Sequence, residues 1–434
     1  MSDSPAGDAA APQLGGTAYL RLIGLGAAIG VPAAAIALLF LGLVHVIENW
    51  LWHTLPEAMG RATAPWWLVL GLPALGGLLV WAARTLLPGD GGHEPLGGIS
   101  VKPTPVAYVP SVALAAVASL AFGAVLGPEG PLIALGSAVG MVAVRIWKVT
   151  GPGEQVLSTA GAFSAVSALF GGPVVAGALL LEAGVGLGAS LVPALVPGLV
   201  AAAIGYVIIV GVGGWAGVPV AGLSVPELPT YATTRIVDLL LAIVAGLVVA
   251  AVVHVVRGIA VRLTLARPRI SPLGALVGGG LAVGLLALAV EGLGGTSEDV
   301  LFSGQTALPA LLAQTSEWLV LAILAAKAIG YAICLGVGFR GGPVFPSIFI
   351  GVATTMLVGR VADMSPTAAL AIGTACGMAA FTRLIFASLV FVLLIGGTAG
   401  LAAIPAAVLA AVTAWVAGKV LDDRRPVAVA APAT

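Results

Sequence analysis

The stretch Gly127-Pro128-Glu129-Gly130-Pro131 sets a single carboxylate between two apolar runs, Pro103 to Leu126 and Leu132 to Val144. A glutamate at membrane depth is costly and persists where function or pairing requires it. Pro131 has a fixed φ and no N–H, so it suits a first helical turn, and the flanking glycines permit close backbone approach. The stretch therefore reads as a chain break followed by a helix N-terminus. Free N–H groups and the positive end of the dipole favour an anion there. Glu129 is either that anion or a competitor of a soluble one for the same place. Ordinary first-turn capping is the plainer reading.

The elements that must position this carboxylate are membrane helices. Of 434 residues, 60% are hydrophobic and 8% charged, against about 25% charged in soluble proteins, and mean hydropathy is +1.14. The chain reads as a polytopic, all-α membrane protein embedded in a lipid bilayer. Its 61 glycines and 29 prolines argue for helices that are tilted, closely packed and interrupted. Zero net charge gives no support for nucleic acid as a partner. Cys334 and Cys376 sit in apolar runs and read as small buried hydrophobes. Neither a metal site nor a cofactor is expected.

Several candidate spans, among them Pro131 to Trp147, Val156 to Leu169 and Leu384 to Ile395, fall below the roughly 20 residues a full crossing needs. Half-helices meeting inside the bilayer explain this economically. Arg257, Arg262, Arg267 and Arg269 form a basic stretch without an acid, Lys419, Arg424 and Arg425 make the end of the chain basic, and Glu298 and Asp299 mark an acidic connection. The positive-inside rule then places both termini in the cytoplasm of an inner-membrane protein.

An internal repeat follows from spacing. Glu129 lies 112 residues after Thr17, and Pro346, which closes Gly341-Gly342-Pro343-Val344-Phe345-Pro346, lies 115 after Tyr231. A second pair, Gly171-Gly172-Pro173 and Arg383-Leu384-Ile385, follows in matching order. The expected organisation is a tail over residues 1–16, a first transmembrane half over 17–215, an external connection over 216–232, an inverted second half over 233–421 and a short tail over 422–434. Inverted repeats broken at corresponding places mark a midplane ion or substrate site.

These residues resemble the ClC family of chloride channels and proton/chloride antiporters. The stretch 127–131 is similar to the family's G-[KR]-E-G-P motif, and Gly342 to Pro346 resembles its G-x-F-x-P motif. Gly172-Pro173 through Leu181-Glu182 resembles its Pro-led helix ending in Leu-Glu-Glu. The resemblance covers about residues 17 to 421. It implies a homodimer of two pores, with chloride or another small monovalent anion held by backbone amides at helix N-termini. Gly127, Gly130, Gly342, Val344, Phe345 and His93 are the candidate anion-binding residues. Glu129 carries over as a gating glutamate that blocks the outer site, accepts a proton and swings away. The chain's end, thirteen residues past Leu421, leads one to expect no appended nucleotide-binding regulatory domain.

Departures from the pattern matter. Pro128 replaces the motif's basic residue, and Pro343 lacks an amide donor. The family's G-S-G-I-P is nearest to Gly91-Gly92-His93-Glu94-Pro95, leaving His93 or Glu94 where a serine is expected; a solvated loop histidine is the plainer reading of His93. Counting from Pro173, Glu182 matches the first glutamate of Leu-Glu-Glu and Ala183 the second, which relays protons in antiporters. Glu182 is thus a displaced relay or a structural residue. Asp422 falls where the family has its inner-gate tyrosine.

The function expected is anion transport through a glutamate-gated pore, either channel or proton-coupled antiporter. Fluoride selectivity and an inverted-repeat carrier for another small solute are the alternatives. An intramembrane enzyme is disfavoured, because His45, His53, His93 and His254 are too scattered for a paired metal site.

Overall fold

The computed structural model describes residues 16–184, 191–216, 225 and 228–424. The expected N-terminal tail before Gly16, most of the connection over 216–232, and Arg425 with the residues after it lie outside that set. Among the described residues the chain is all-α, and the only strand-like feature is one isolated bridge.

The helices are α1 (Gly16–Asn49), α2 (Leu55–Ala58), α3 (Trp66–Leu86), α4 (Val109–Leu120), α5 (Glu129–Trp147), α6 (Pro152–Phe170), α7 (Pro173–Ala183) and α8 (Leu191–Ala216). They continue with α9 (Ile236–Ala266), α10 (Pro272–Gly292), α11 (Leu308–Ala313), α12 (Glu317–Val337), α13 (Val344–Gly359), α14 (Pro366–Thr382), α15 (Ile385–Gly396) and α16 (Ile404–Arg424). Nine stretches among the described residues are long and apolar enough to cross a membrane, so the protein is multi-pass. Others, such as α4, α7 and α14, are apolar but shorter.

Local chemistry sets the helix ends. Ser271, Ser316 and Ser365 cap α10, α12 and α14 by accepting from Gly274, Leu319 and Ala368 N–H groups, satisfying donors that have no intrahelical acceptor. Helix α12 stops at Gly338, whose φ of 105° carries no Cβ penalty.

The apolar run that ends at Leu126 is not one span but a 12-residue helix, α4, followed by non-helical backbone over residues 121–128. Gly123, with φ 96°, turns the chain out of the helix. In a bilayer such backbone must find partners inside the protein, and it does. Trp52 Nε1–H donates to Ala121 O at 3.0 Å, Ala124 N–H to Ser119 O at 3.0 Å, and Val125 N–H to Cys334 Sγ at 3.3 Å. Cys334 is thus more than a packed hydrophobe: its sulfur accepts a bond that this break leaves over.

The chain forms two compact units. One holds residues 1–37, 101–106 and 135–220. Its core includes Ile29, Ala33, Val144, Val156, Leu157 and Ala194, and Ser164 Oγ donates to Gly30 O at 2.7 Å. The other holds residues 38–100, 107–134 and 221–434. In it α3 packs on α10 through Gly77, Gly280 and Gly284, and α13 packs on α14 through Gly351, Gly373 and Gly377. At each of these glycines a Cβ would strike backbone of the facing helix. Lipid is as apolar as leucine, so close backbone packing of small residues supplies the helix association that the hydrophobic effect cannot.

Candidate functional site

Two chain breaks meet at one bridge. Gly127 N–H donates to Gly342 O at 2.8 Å, and Gly342 N–H returns the bond to Gly127 O at 2.5 Å. Each glycine is followed by a proline and then by a helix: Pro128 leads into α5 at Glu129, and Pro343 leads into α13 at Val344. The two prolines that departed separately from the expected motifs are therefore equivalent members of one locally antiparallel pair. About the local two-fold axis of that pair Gly127 corresponds to Gly342, Pro128 to Pro343, and so Glu129 to Val344. Neither proline wastes a donor, because first-turn N–H groups have no intrahelical acceptor.

Glu129 is fully buried. Its Oε1 accepts the Val344 N–H, and the Phe345 and Glu129 N–H groups belong to the same array. Oε2, buried as well, finds no hydrogen-bond partner among the described residues. The carboxylate thus sits on the N-terminus of α13, where free amides and the dipole stabilise negative charge. The glycines make room for it: a Cβ on Gly127 or Gly342 would collide with the Glu129 carboxylate, and one on Gly130 would meet Gly341 O.

Helix α12 forms a wall beside this seat. Tyr331 is fully buried, and its hydroxyl donates to Pro343 O at 3.1 Å. One turn earlier, fully buried Lys327 donates from Nζ to Leu301 O at 2.7 Å and lies 4.8 Å from the Phe349 ring centre. After α12, Arg340 anchors the loop that leads to Gly342. Its N–H takes Ser119 Oγ at 3.0 Å, and its guanidinium grips Asp90 O at 2.8 Å and Asp90 Oδ2 at 2.7 Å. Arg84 and Arg267 bind the carbonyls of Gly338 and Gly336, while Glu94 pairs with Arg267 at 2.6 Å and with Arg340 at 3.4 Å. Partial burial pushes the Glu94 carboxyl upward, but Arg340, Arg267 and Arg84 together outweigh it and hold Glu94 below the ordinary carboxylate value.

Of the residues singled out in the sequence, Gly127, Glu129, Gly130, Gly342, Val344 and Phe345 come together. His93 is exposed in the loop before α4, and its neighbour Glu94 turns into the arginine cluster. Glu182 lies half-buried in the last turn of α7, in the other unit. Asp422, in the last turn of α16, accepts from Arg383 at 2.6 Å and lies 3.3 Å from His254 Nδ1. Sequence reading passed over Lys327, Tyr331 and Arg340. A lone lysine inside an apolar run was the available signal, with Tyr331 four residues on and so on the same helix face.

Fold and site together define a multi-pass membrane protein with two helix N-termini brought face to face around a buried carboxylate. The family model for "Voltage gated chloride channel" matches residues 94–418, and the chain belongs to that family, whose members are channels and transporters. It is 30% identical over 364 residues to "Putative ion-transport protein YfeO" of Escherichia coli O1:K1 / APEC and, at the same identity, to the protein of that name from Shigella boydii serotype 18 (strain CDC 3083-94 / BS512), covering 79% of each chain. A slow cyanobacterial Cl-/H+ antiporter superposes with a TM-score of 0.74 at 17% identity, over 92% of this chain and 95% of that one. A CLC-type fluoride/proton antiporter gives 0.73 at 21% identity, over 94% and 98%. At these identities the two structures speak for the fold.

Proposed function

We propose that the protein moves a small monovalent anion across the membrane through a path that Glu129 opens and closes by taking up a proton. The observation that carries this reading is the Val344 N–H bond to a fully buried Glu129 carboxylate at the bridged helix ends. The charged carboxylate occupies a place suited to an anion. Once protonated it loses most of the dipole attraction, and the amides of Val344 and Phe345 are free for the soluble ion. Backbone amides without a full charge hold an anion loosely enough for it to leave. The candidate halves over 17–215 and 233–421, cytoplasmic termini and a homodimer of two pores complete the proposal and rest on loop charge and family resemblance.

Chloride is the first candidate, and the fluoride/proton antiporter among the similar structures keeps fluoride beside it. Reversal potentials in liposomes under separate chloride, fluoride, nitrate and proton gradients test the proposal. A potential that follows an anion gradient supports it, and its displacement by a proton gradient marks exchange rather than passive flow. Flux that continues with only a large impermeant anion present removes it.

A further inference from the structure

Tyr331 is bordered by a charge that the gate does not use. The charged groups acting on its hydroxyl are Glu129 and Arg257. Arg257, on α9, packs on the same aromatic ring as Tyr331: its guanidinium carbon lies 5.7 Å from the Phe381 ring centre, and the Tyr331 and Phe381 rings are 5.2 Å apart. Arg257 Nε is buried and finds no hydrogen-bond partner among the described residues, where the side chain also makes no ion pair. The one carboxylate acting on it, Asp422, is already engaged, with Oδ2 on Arg383 at 2.6 Å and Oδ1 3.3 Å from His254. Helix α9 packs on α12, α14 and α16 here.

A guanidinium keeps its charge in any protein environment, and a buried N–H without an acceptor carries a desolvation penalty. With Asp422 held by Arg383, the group that would relieve Arg257 is a mobile anion. Tyr331 can join it. Its O–H now serves the neutral carbonyl of Pro343, and turning to an anion exchanges that bond for a stronger, charge-assisted one.

We propose that Arg257 and Tyr331 form a second anion station, of fixed positive charge, on the α9 side of the Glu129 seat. Its ligand is a small, dehydrated monovalent anion. The inference rests on the reading of Glu129 as the gate of an anion path and adds a station where binding is held by a full charge. The neighbouring Asp422 tempers that charge so that the ion can leave. The sequence reading of amide-only binding is thereby extended, since Arg257 had counted only toward the basic stretch that orients the chain.

The test is bromide binding to the full-length protein in detergent, followed by calorimetry for wild type, R257Q, R257K, Y331F and E129Q. Loss of a charge-assisted donor is expected to weaken binding by about tenfold in R257Q. R257K, which keeps the charge but lacks Nε, and Y331F are expected to fall between R257Q and wild type. E129Q is expected to bind at least as tightly as wild type, because the competing carboxylate is gone. Saturable binding that is equal in wild type, R257K and Y331F overturns the station, as does an absence of saturable binding in wild type. Should R257Q fail to fold, the other two variants still decide. The gate is judged separately, by the pH dependence of flux in E129Q. If that dependence matches wild type while bromide affinity still follows residue 257, the gate reading falls and the station stands.

Discussion

Glu129 concentrates the chemistry of the chain in one side chain. Its neutral isostere keeps shape while removing the charge that holds Oε1 on the Val344 amide. In Glu129→Gln, anion flux in liposomes is expected to persist at every pH, with proton coupling and pH dependence lost; a wild-type pH profile would take Glu129 out of the mechanism. Lys327 makes a different prediction. Lys327→Met leaves the Leu301 carbonyl without its donor, a loss of about 1–3 kcal/mol for a buried acceptor. Lower thermal stability in detergent with unchanged anion selectivity is expected, and altered selectivity would show that the lysine serves the path.

Two half-turns of chain, not any one helix, build the seat. The Gly127–Gly342 bridge holds the first turns of α5 and α13 against each other, and there is no room beside Glu129 for a side chain on either glycine. Gly342→Ala is therefore expected to push the carboxylate off the α13 amides. Flux that is high at neutral pH and no longer rises on acidification would show this, whereas wild-type gating would mean that the loop yields instead. Away from the seat, Gly377 faces Ser347 and Gly351 of α13. Gly377→Val forces apart helices that depend on backbone contact, at a cost of about 1–3 kcal/mol, read as a lower unfolding temperature with an unchanged gating pH.

Across the larger unit, the loop between α12 and α13 is tied to the loop after α3 by three arginines and two acids. Glu94 titrates below its ordinary value of 4.5 in this cluster. A carboxyl with a depressed folded-state value contributes stability above its unfolded value and loses that contribution as pH falls through the folded one. Wild type is thus expected to be more stable than Glu94→Gln near neutrality, with the two converging as pH falls through the lowered Glu94 value. A gap that widens on acidification would contradict the assignment. Bilayer-embedded stoichiometry, measured by single-molecule photobleaching, checks the proposed homodimer, for which two steps per particle are expected.

Much of this protein was legible before any coordinates. Composition alone requires a membrane-embedded helical chain, because so few charges and so many apolar residues leave no other solvent for it. The glutamate framed by Gly and Pro identifies a helix start, since those residue types restrict the local backbone whatever surrounds them. Local rules could not show that Pro128 and Pro343 are equivalent, that α4 ends at Leu120, or that Glu94 joins an arginine cluster. Nor could they place Tyr331 and Arg257 on one ring. Those facts depend on which residues distant in the chain become neighbours, and in an apolar sequence many pairings satisfy the same hydrophobic pattern. The tertiary structure chose among them through close glycine contacts and through the partners it gives most buried polar groups.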